Sequence, residues 1–344
     1  MQSASTSISA PAAGSVERDL PMRAILQSGY GSSDVLRLGS TARPAPRAGE
    51  VLVKVAAAGI DRGTWHLMTG RPYLMRVMGF GFWRPNNPVA GLDLAGTVVE
   101  VGPQVTRFAV GDLVFGIGQG TFAEYARARE DKLTRVPQGL GLEQAAVLAV
   151  SGSTALQALD AAELKAGERV LVIGASGGVG SYAVQIAKAL GAEVTGVCSA
   201  SKLEFVRSLG AAHVIDYRSQ DFAGGVRRYD VVLDMGGNTP IARLRRCLIE
   251  TGRVVFIGNE QGGDWTAGFG RQIYASLLGR FVKQRFTSLI AREHFSSFER
   301  LAELCAAGQI RPAIDRCITL SEVPEALRAL EAGAVKGKIA VVMG

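Results

Sequence analysis

A glycine-rich segment at residues 174–180 carries the strongest chemical signal in the sequence. It reads Gly-Ala-Ser-Gly-Gly-Val-Gly, follows an apolar run at 169–173 and precedes a helical pattern at 179–190. A strand that turns into a helix in this way presents free backbone N–H groups and the positive end of the helix dipole to a pyrophosphate. The alternative is a glycine-rich turn without a ligand. The expected contacts of a dinucleotide in this segment are Gly174, Ser176, Gly177, Gly178, Val179 and Gly180.

The end of the next predicted strand indicates which dinucleotide binds. Proteins that bind NAD usually place Asp or Glu there to hold the ribose 2′-hydroxyl. Cys198 occupies that position, and Ser199 and Lys202 follow it. A lysine attracts the 2′-phosphate of NADPH, whereas a carboxylate would repel it. The sequence therefore predicts NADPH as the cofactor, with a solvated lysine at a helix start as the alternative role of Lys202.

The elements that position this segment follow two different patterns. Strand-like runs at 169–173, 193–197, 213–215, 230–234 and 253–257 alternate with helical patterns, which predicts a parallel sheet with helices on both faces. Residues 22–135 instead contain short β-rich runs bounded by glycines, which is typical of a β-barrel. Helical patterns at 295–307 and 324–332 and a strand at 339–342 end the chain.

Composition narrows the function further. The chain has 344 residues, 4 Cys and 3 His, and no Cys-x-x-Cys pair, which excludes a disulfide framework and a four-cysteine zinc site. The formal net charge is +7, and Arg243, Arg245 and Arg246 cluster on one predicted helix. We interpret this cluster as a solvated helix face and do not expect a nucleic-acid partner.

The first 20 residues are rich in Ser and Ala and lack an apolar core, so we predict a disordered tail there rather than a secretory signal. No run of 18 apolar residues occurs, and we therefore expect no membrane span. These features together predict a cytoplasmic protein.

Several segments together resemble the medium-chain dehydrogenase/reductase superfamily, and within it the zinc-independent quinone oxidoreductase branch. The resemblance implies an α/β protein with a GroES-like β-barrel catalytic domain, formed by 21–150 and 295–344, and a Rossmann domain with a doubly wound parallel sheet at 151–294. It also implies an active site in the cleft between the domains, and a homodimer. The segments that carry the resemblance are 91–102, 110–115, 122–125, 174–180, 210–217 and 252–258.

The resemblance also assigns residues around the cofactor. Lys202 and Tyr217 fall on positions that approach the 2′-phosphate in quinone reductases. Gly236 and Gly258 fall where later strands pass close to the nicotinamide half. Thr154 falls where a Thr usually faces the nicotinamide, with simple helix capping as its alternative role.

The positions of the superfamily's zinc ligands are changed in this chain. Asp61, Leu92 and Val150 or Ser151 stand where the zinc enzymes carry their ligands, and Leu92 cannot bind a metal. A catalytic zinc needs three protein donors, so we predict no metal. Without a Lewis acid, the favoured reaction is hydride transfer to a conjugated carbonyl, because the substrate's own oxygen accepts the charge. The sequence therefore predicts an NADPH-dependent, zinc-free reductase of quinones or α,β-unsaturated carbonyls.

The predicted cleft contains a departure from the related quinone reductases. Those proteins carry an Asn and, three residues later, an Asp, where this chain has Asp61 and Thr64. We expect Asp61, Thr64 and Thr154 to be the catalytic candidates. A turn-capping role is the alternative for Asp61.

An aromatic segment at 73–87 is predicted to form a wall of the substrate site, with packing within its own domain or against a dimer partner as the alternative. The candidate substrate contacts are Trp65, Tyr73, Phe80 and Trp83. Two other functions remain open from the sequence. One is a zinc-free NADP-dependent alcohol or carbonyl dehydrogenase. The other is an NADPH-binding sensor or nucleic-acid-binding protein without turnover.

Overall fold

The computed structural model describes residues 21–73, 76–77, 81–236, 239–258 and 269–344. The predicted tail at 1–20 and Phe80 lie outside the described residues. The strands are β1 (Pro21–Gln27), β2 (Leu36–Ala42), β3 (Glu50–Ile60), β4 (Asp93–Val101), β5 (Leu113–Ile117), β6 (Tyr125–Arg129), β7 (Leu133–Arg135), β8 (Arg169–Ile173), β9 (Glu193–Cys198), β10 (His213–Asp216), β11 (Tyr229–Asp234), β12 (Leu248–Phe256), β13 (Arg285–Ser288), β14 (Ile314–Thr319) and β15 (Lys338–Val342).

Helices connect and cover these strands. They are α1 (Arg62–Thr69), α2 (Leu142–Ala145), α3 (Ala149–Ala161), α4 (Gly178–Ala189), α5 (Leu203–Ser208), α6 (Ile241–Cys247), α7 (Phe269–Leu278), α8 (Phe295–Ala306) and α9 (Val323–Glu331). Among the described residues, none of these helices has the length and apolar character needed to cross a lipid bilayer.

One sheet is entirely parallel and has the strand order β10-β9-β8-β11-β12-β13. Its central strand alternates between two cores. Val170 and Val172 of β8 pack on the side of α3 and α4, and Leu171 and Ile173 pack on the opposite side. A parallel sheet with both faces covered is the doubly wound arrangement, and the predicted α/β fold class is confirmed.

The other large sheet has the order β14-β15-β3-β4-β5-β7, and β6 also pairs with β3. Its apolar residues and those of β1 and α9 form a second core. The last strand, β15, is inserted between β14 and β3, so the C-terminal segment returns to the sheet formed by the N-terminal half. The domain limits near residues 150 and 295 stay predictions.

Three local differences from the predicted elements have simple causes. The helical pattern at 142–149 is divided into α2 and the start of α3, because Val147 and Leu148 donate backbone hydrogen bonds to carbonyls three residues earlier. Strands β13 and β14 were not predicted, since both lie at sheet edges and most of their side chains are exposed. The apolar alternation that identifies a half-buried strand is therefore missing from them.

Candidate active site

The glycine-rich segment forms the turn between β8 and α4. Gly177 is the N-cap residue of α4 in an extended conformation, and no side chain caps this helix. The first N–H groups of a helix have no acceptor within the helix. A Cβ atom placed on Gly177 would have one neighbour within 4 Å, the carbonyl oxygen of Gly174 at 3.5 Å. The turn thus offers open space and N–H donors, and these features fit a bound pyrophosphate.

Gly180 has a different role in the same turn. A Cβ atom placed there would lie 2.1 Å from the carbonyl oxygen of Gly174 and 2.8 Å from the Cα atom of Ala175. Both are backbone atoms, so a side chain cannot be accommodated by a rotamer change. Gly180 therefore allows α4 to pack against the end of β8.

The ends of the later parallel strands lie beside this turn. A Cβ atom placed on Gly174 would be 3.7 Å from the backbone nitrogen of Gly236. Gly258 donates its N–H to the carbonyl of Asp234, and a Cβ atom on Gly258 would be 2.1 Å from the carbonyl oxygen of Met235. The structure thus brings together the glycines that the sequence assigned to the nicotinamide half.

The region predicted to hold the ribose contains an acid that the sequence interpretation missed. Cys198 is buried at the end of β9, and burial raises the pKa of its thiol. Asp216, the last residue of β10, is paired with Cys198 in the sheet register. Its carboxylate accepts hydrogen bonds from the backbone N–H of Arg218 at 3.1 Å and the hydroxyl of Ser219 at 3.0 Å. Strand β10 extends one residue beyond the predicted run at 213–215 and thereby brings Asp216 beside Cys198.

Lys202 is held by backbone atoms of the C-terminal segment. Its ammonium group donates hydrogen bonds to the carbonyl oxygens of Gly333 and Val335, both at 2.7 Å. Its N–H donates to the carbonyl of Ser199, and burial lowers the pKa of the Lys202 side chain. Tyr217 is half exposed at the end of the neighbouring strand. Lys202 and Tyr217 thus both lie at the end of β9, since the Tyr217 N–H donates to the carbonyl of Cys198 at 3.2 Å; their contact with a 2′-phosphate stays a prediction.

Asp61 and Thr64 form a buried pair at the start of α1. A carboxylate oxygen of Asp61 accepts the backbone N–H of Thr64 at 2.7 Å, and the Thr64 hydroxyl lies 3.4 Å from the other oxygen. Asp61 is thus the N-cap residue of α1. The two side chains are 3% and 1% exposed. The capping role named as an alternative is present, with Thr64 as the donor.

A buried lysine lies opposite this pair. Ile339 pairs with Ile60 between the antiparallel strands β15 and β3, which places Lys338 beside Asp61. The Lys338 ammonium lies 3.4 Å from a carboxylate oxygen of Asp93 and 3.1 Å from the Ser151 hydroxyl. Lys338 is 1% exposed and Asp93 is 0% exposed. We refer to Asp61, Asp93 and Lys338 as the acid–lysine cluster.

The acid–lysine cluster has unusual protonation behaviour. Burial raises the pKa of Asp93 to about 7, although Lys338 acts in the opposite direction. Burial also raises the pKa of Asp61, again opposed by the ammonium of Lys338. The other carboxylate oxygen of Asp93 accepts the backbone N–H of Val150 at 2.8 Å. A carboxyl group in this position can hold a proton near neutral pH.

Leu92 lies near Asp61, since a Cβ atom placed on Gly63 would be 3.0 Å from the Leu92 Cδ1 atom and 2.9 Å from a carboxylate oxygen of Asp61. Thr154 lies on α3. The Thr154 hydroxyl donates to the carbonyl of Val150 at 2.7 Å and is half-buried. Across the described ranges, no group of three or more His, Cys, Asp or Glu side chains is arranged to hold a metal ion.

The aromatic candidates that the structure describes, Trp65, Tyr73 and Trp83, differ widely in exposure. Trp65 is 8% exposed and belongs to the core of the barrel sheet. Trp83 is 85% exposed and contacts Phe82 edge-on, at 4.8 Å between ring centroids. Tyr73 is half-buried, with the Arg76 guanidinium 4.6 Å from its ring centroid. The amphipathic helix α1 turns Trp65 toward the core, which the segment's composition alone did not indicate.

Two arginines of the second half form ion pairs with acids, and Arg245 instead donates to the side-chain oxygen of Gln284 at 2.9 Å. Arg243 forms an ion pair with Asp221 at 2.7 Å, and Arg271 forms one with the buried Asp234. Arg243 thus forms an ion pair on the helix that the sequence predicted to present a solvated face.

Comparison with known families identifies both parts of the chain. Residues 47–138 match the alcohol dehydrogenase GroES-like domain, and residues 209–341 match the family described as zinc-binding dehydrogenase. The chloroplast envelope quinone oxidoreductase homolog of Arabidopsis thaliana is 35% identical over 87% of this chain and 91% of its own length. The 2-methylene-furan-3-one reductase of Solanum lycopersicum is 31% identical over 98% of this chain and 81% of its own length.

Solved structures lead to the same assignment. The quinone oxidoreductase from Coxiella burnetii superimposes with a TM-score of 0.83 at 30% identity, covering 94% of this chain and 99% of that one. A mycobacterial protein complexed with NADPH superimposes with a TM-score of 0.80 at 26% identity, covering 93% and 99%. The chain belongs to the medium-chain dehydrogenase/reductase superfamily. Within it, the chain lies in the quinone oxidoreductase branch and is an oxidoreductase of the NAD(P)H-dependent type.

Proposed function

We propose that this protein uses NADPH to reduce quinones or α,β-unsaturated carbonyl compounds without a metal ion. One observation carries the proposal. The turn at 174–180, which we call the phosphate-binding turn, lies against Lys338, because a Cβ atom on Gly178 would be 3.1 Å from the Lys338 Cδ atom. Lys338 is hydrogen-bonded to Asp93, and the strand register places it beside the buried Asp61. Leu92, which cannot bind a metal, precedes Asp93. A hydride donor and a proton-bearing carboxyl thus belong to one site.

Each part of the chain has a proposed task. The turn at Gly177 and Gly178 holds the pyrophosphate, and Lys202 and Tyr217 face the 2′-phosphate. The bound dinucleotide supplies a hydride to the electron-poor carbon of the substrate. Thr154 orients the substrate oxygen, on which negative charge develops. The carboxyl of Asp61, assisted by Thr64, supplies the proton.

The relatives support this choice of substrate and cofactor. Two of them are named for a quinone and for a methylene-furanone, and both substrates have a carbonyl conjugated to a carbon–carbon double bond. A structural neighbour was solved with NADPH. Lys202 and the absence of a carboxylate at the end of β9 favour the phosphorylated dinucleotide, whereas the carboxylate of Asp216 on the neighbouring strand acts in the opposite direction.

A direct assay tests the proposal. Oxidation of NADPH and of NADH is followed with a quinone, an enone and a saturated aldehyde, each with and without a metal chelator. We expect the highest kcat/KM for NADPH with the quinone or the enone, unchanged by the chelator. Turnover of the aldehyde alone would instead support a carbonyl dehydrogenase, and no turnover at all would reject the reductase.

We also propose a homodimer formed through β13, and a cytoplasmic location. Strand β13 is the edge of the parallel sheet, and an edge strand presents N–H and C=O groups to a second chain. Light scattering after size-exclusion chromatography measures the oligomeric state, and a monomer at micromolar concentration would contradict the dimer. Fractionation of the producing cells would test the location.

A further inference from the structure

The acid–lysine cluster contains two carboxyl groups and one ammonium group in a space closed to solvent. All three side chains are at most 3% exposed. One ionised carboxylate and the ammonium of Lys338 form a neutral pair, but a second ionised carboxylate would leave a buried negative charge without compensation. Such a charge is strongly unfavourable, and a group in this position gains a proton instead. The cluster therefore has a net charge that changes between −1 and 0 near neutral pH.

The cluster is in direct contact with the phosphate-binding turn. Gly337 donates its backbone N–H to the carbonyl of Ser176 at 2.9 Å. A Cβ atom placed on Gly178 would lie 3.1 Å from the Cδ atom of Lys338 and 3.0 Å from the Ser151 hydroxyl. The aliphatic part of the Lys338 side chain thus packs against Gly178, the first residue of α4. Negative charge that arrives at this turn lies close to the cluster and acts through protein rather than through bulk water.

We propose that the acid–lysine cluster takes up a proton when a dinucleotide binds to the phosphate-binding turn, and so holds this proton before the substrate arrives. The inference rests on the proposed dinucleotide binding. The proton comes from bulk water, and the cluster changes from a net charge of −1 to 0. No bond to the dinucleotide forms or breaks in this step.

Simple electrostatics gives the size of the effect. A unit charge roughly 10 Å away, at an effective dielectric constant of about 20, changes the pKa of a carboxyl by about one. The pKa of Asp93 is already about 7 in the free protein. A further rise caused by the pyrophosphate corresponds to an uptake of about half a proton near pH 7.5. At pH 5.5 the carboxyl already holds its proton, and the uptake disappears.

Other groups around the cluster do not compete for this proton. Tyr182 on α4 has a pKa well above its usual value because it is buried, and its hydroxyl donates to the carbonyl of Val147. Burial raises the pKa of Cys305 on α8 to about 12. Glu293, whose charge raises the pKa of Asp61, forms an ion pair with Lys132 at 2.6 Å. Thr64 and Ser151 contribute hydroxyl groups that do not titrate.

Calorimetry measures the uptake without any turnover. NADPH and NADH are titrated into the protein at pH 7.5 in buffers with different ionisation enthalpies, and the dependence of the binding enthalpy on the buffer gives the number of protons taken up. NADH lacks the 2′-phosphate, which itself titrates, so a comparison of the two ligands separates that contribution. For NADH binding to the wild-type protein we expect an uptake of about half a proton at pH 7.5, and none at pH 5.5.

Matched variants assign the uptake to the cluster. In D93N and in D61N a single carboxylate is left to pair with Lys338, so both variants should bind NADH without proton uptake. The amide oxygen of D93N can still accept the Val150 N–H, and thermal unfolding checks that each variant is folded. The control is K165M, because Lys165 is exposed and lies before the amino end of β8, whereas the phosphate-binding turn follows the carboxyl end of that strand. This control should keep the full uptake.

The possible results separate the two proposals. If the wild-type protein binds the dinucleotide at pH 7.5 without taking up a proton, the inference is overturned and the proposed function is unaffected. Full uptake in either folded D93N or folded D61N would also overturn it. Failure of the unchanged protein to bind both NADPH and NADH would reject the proposed function itself.

Discussion

The ammonium group of Lys202 lies 2.7 Å from the carbonyl oxygen of Val335. This contact joins the end of β9, where a dinucleotide's ribose is expected, to the loop that leads into Lys338 and β15. A lysine held in this way loses little side-chain entropy when it meets a phosphate, because its position is already fixed. The same contact means that a change at Lys202 also affects the C-terminal loop.

Replacing Lys202 tests the cofactor preference. For K202E we expect the NADPH-over-NADH ratio of kcat/KM to fall at least about tenfold, since losing one charged phosphate contact weakens binding by about 1.5–3 kcal/mol. Steady-state kinetics with both dinucleotides provide the measurement. The control K165E makes the same charge change at an exposed lysine before β8 and should keep the ratio. An unchanged ratio in K202E would show that Lys202 serves only to hold the C-terminal loop.

Two glycines of the phosphate-binding turn should respond differently to alanine. In G180A the new Cβ atom meets the backbone of Gly174 and Ala175, so we expect a loss of stability of at least about 1–3 kcal/mol. In G177A the nearest atom is 3.5 Å away, and stability should be retained while dinucleotide binding weakens. Urea unfolding and fluorescence titration with NADPH measure the two effects. Unchanged binding by G177A would mean that the pyrophosphate does not approach this residue.

Asp61 can be tested as a proton donor separately from its capping role. Asn caps helices about as well as Asp, so D61N should keep the melting temperature, whereas D61A should lose about 1 kcal/mol of stability. Both variants should lower kcat about a hundredfold or more, because neither can donate a carboxyl proton. Thermal unfolding and steady-state kinetics measure the two properties. A D61N variant with unchanged kcat would restrict Asp61 to capping.

The raised pKa of Asp93 predicts a pH-dependent stability. In the folded protein this carboxyl keeps its proton up to about pH 7, whereas its ordinary pKa is 3.8. The folded state thus binds more protons than the unfolded state between these values, and the contribution of Asp93 to stability is lost as the pH rises through about 7. Asn does not titrate. We therefore expect the free energy of unfolding of D93N, measured relative to that of the wild-type protein, to rise between pH 5 and 8. Urea unfolding across this range measures it, and a constant difference would contradict the raised pKa.

Trp83 offers a test of the aromatic segment. Because it is 85% exposed, W83S should fold normally. An aromatic contact contributes about 0.5–1.5 kcal/mol, so we expect KM for a quinone to rise about two- to tenfold if Trp83 closes over the substrate as predicted, with little change in W83F. A KM for W83S equal to that of the unchanged protein would exclude Trp83 from the substrate site.

The sequence predicted features formed by residues that follow one another in the chain. It did not predict contacts between residues that are far apart in the chain. The phosphate-binding turn could be predicted from the sequence, because a strand, glycines and a helix follow one another directly between 169 and 190. The contact of Asp93 with Lys338 could not be predicted from the sequence, because the two residues are 245 positions apart. They meet only when β15 pairs with β3 beside β4. A signal was nevertheless present, since a lysine at the start of the apolar run 339–342 requires a partner once it is buried.

The position of β15 also has a consequence for how the chain folds during synthesis. All strands of the parallel sheet come from one continuous stretch, residues 169–288. The other large sheet is different, because residues 338–342 fill the place between β14 and β3, close to the C-terminus. The parallel sheet at 169–288 can therefore form while the rest of the chain is still being synthesised. The barrel sheet stays incomplete until residues 338–342 have left the ribosome, which leaves the interior edge of β3 exposed to chaperones or to a neighbouring chain in the meantime.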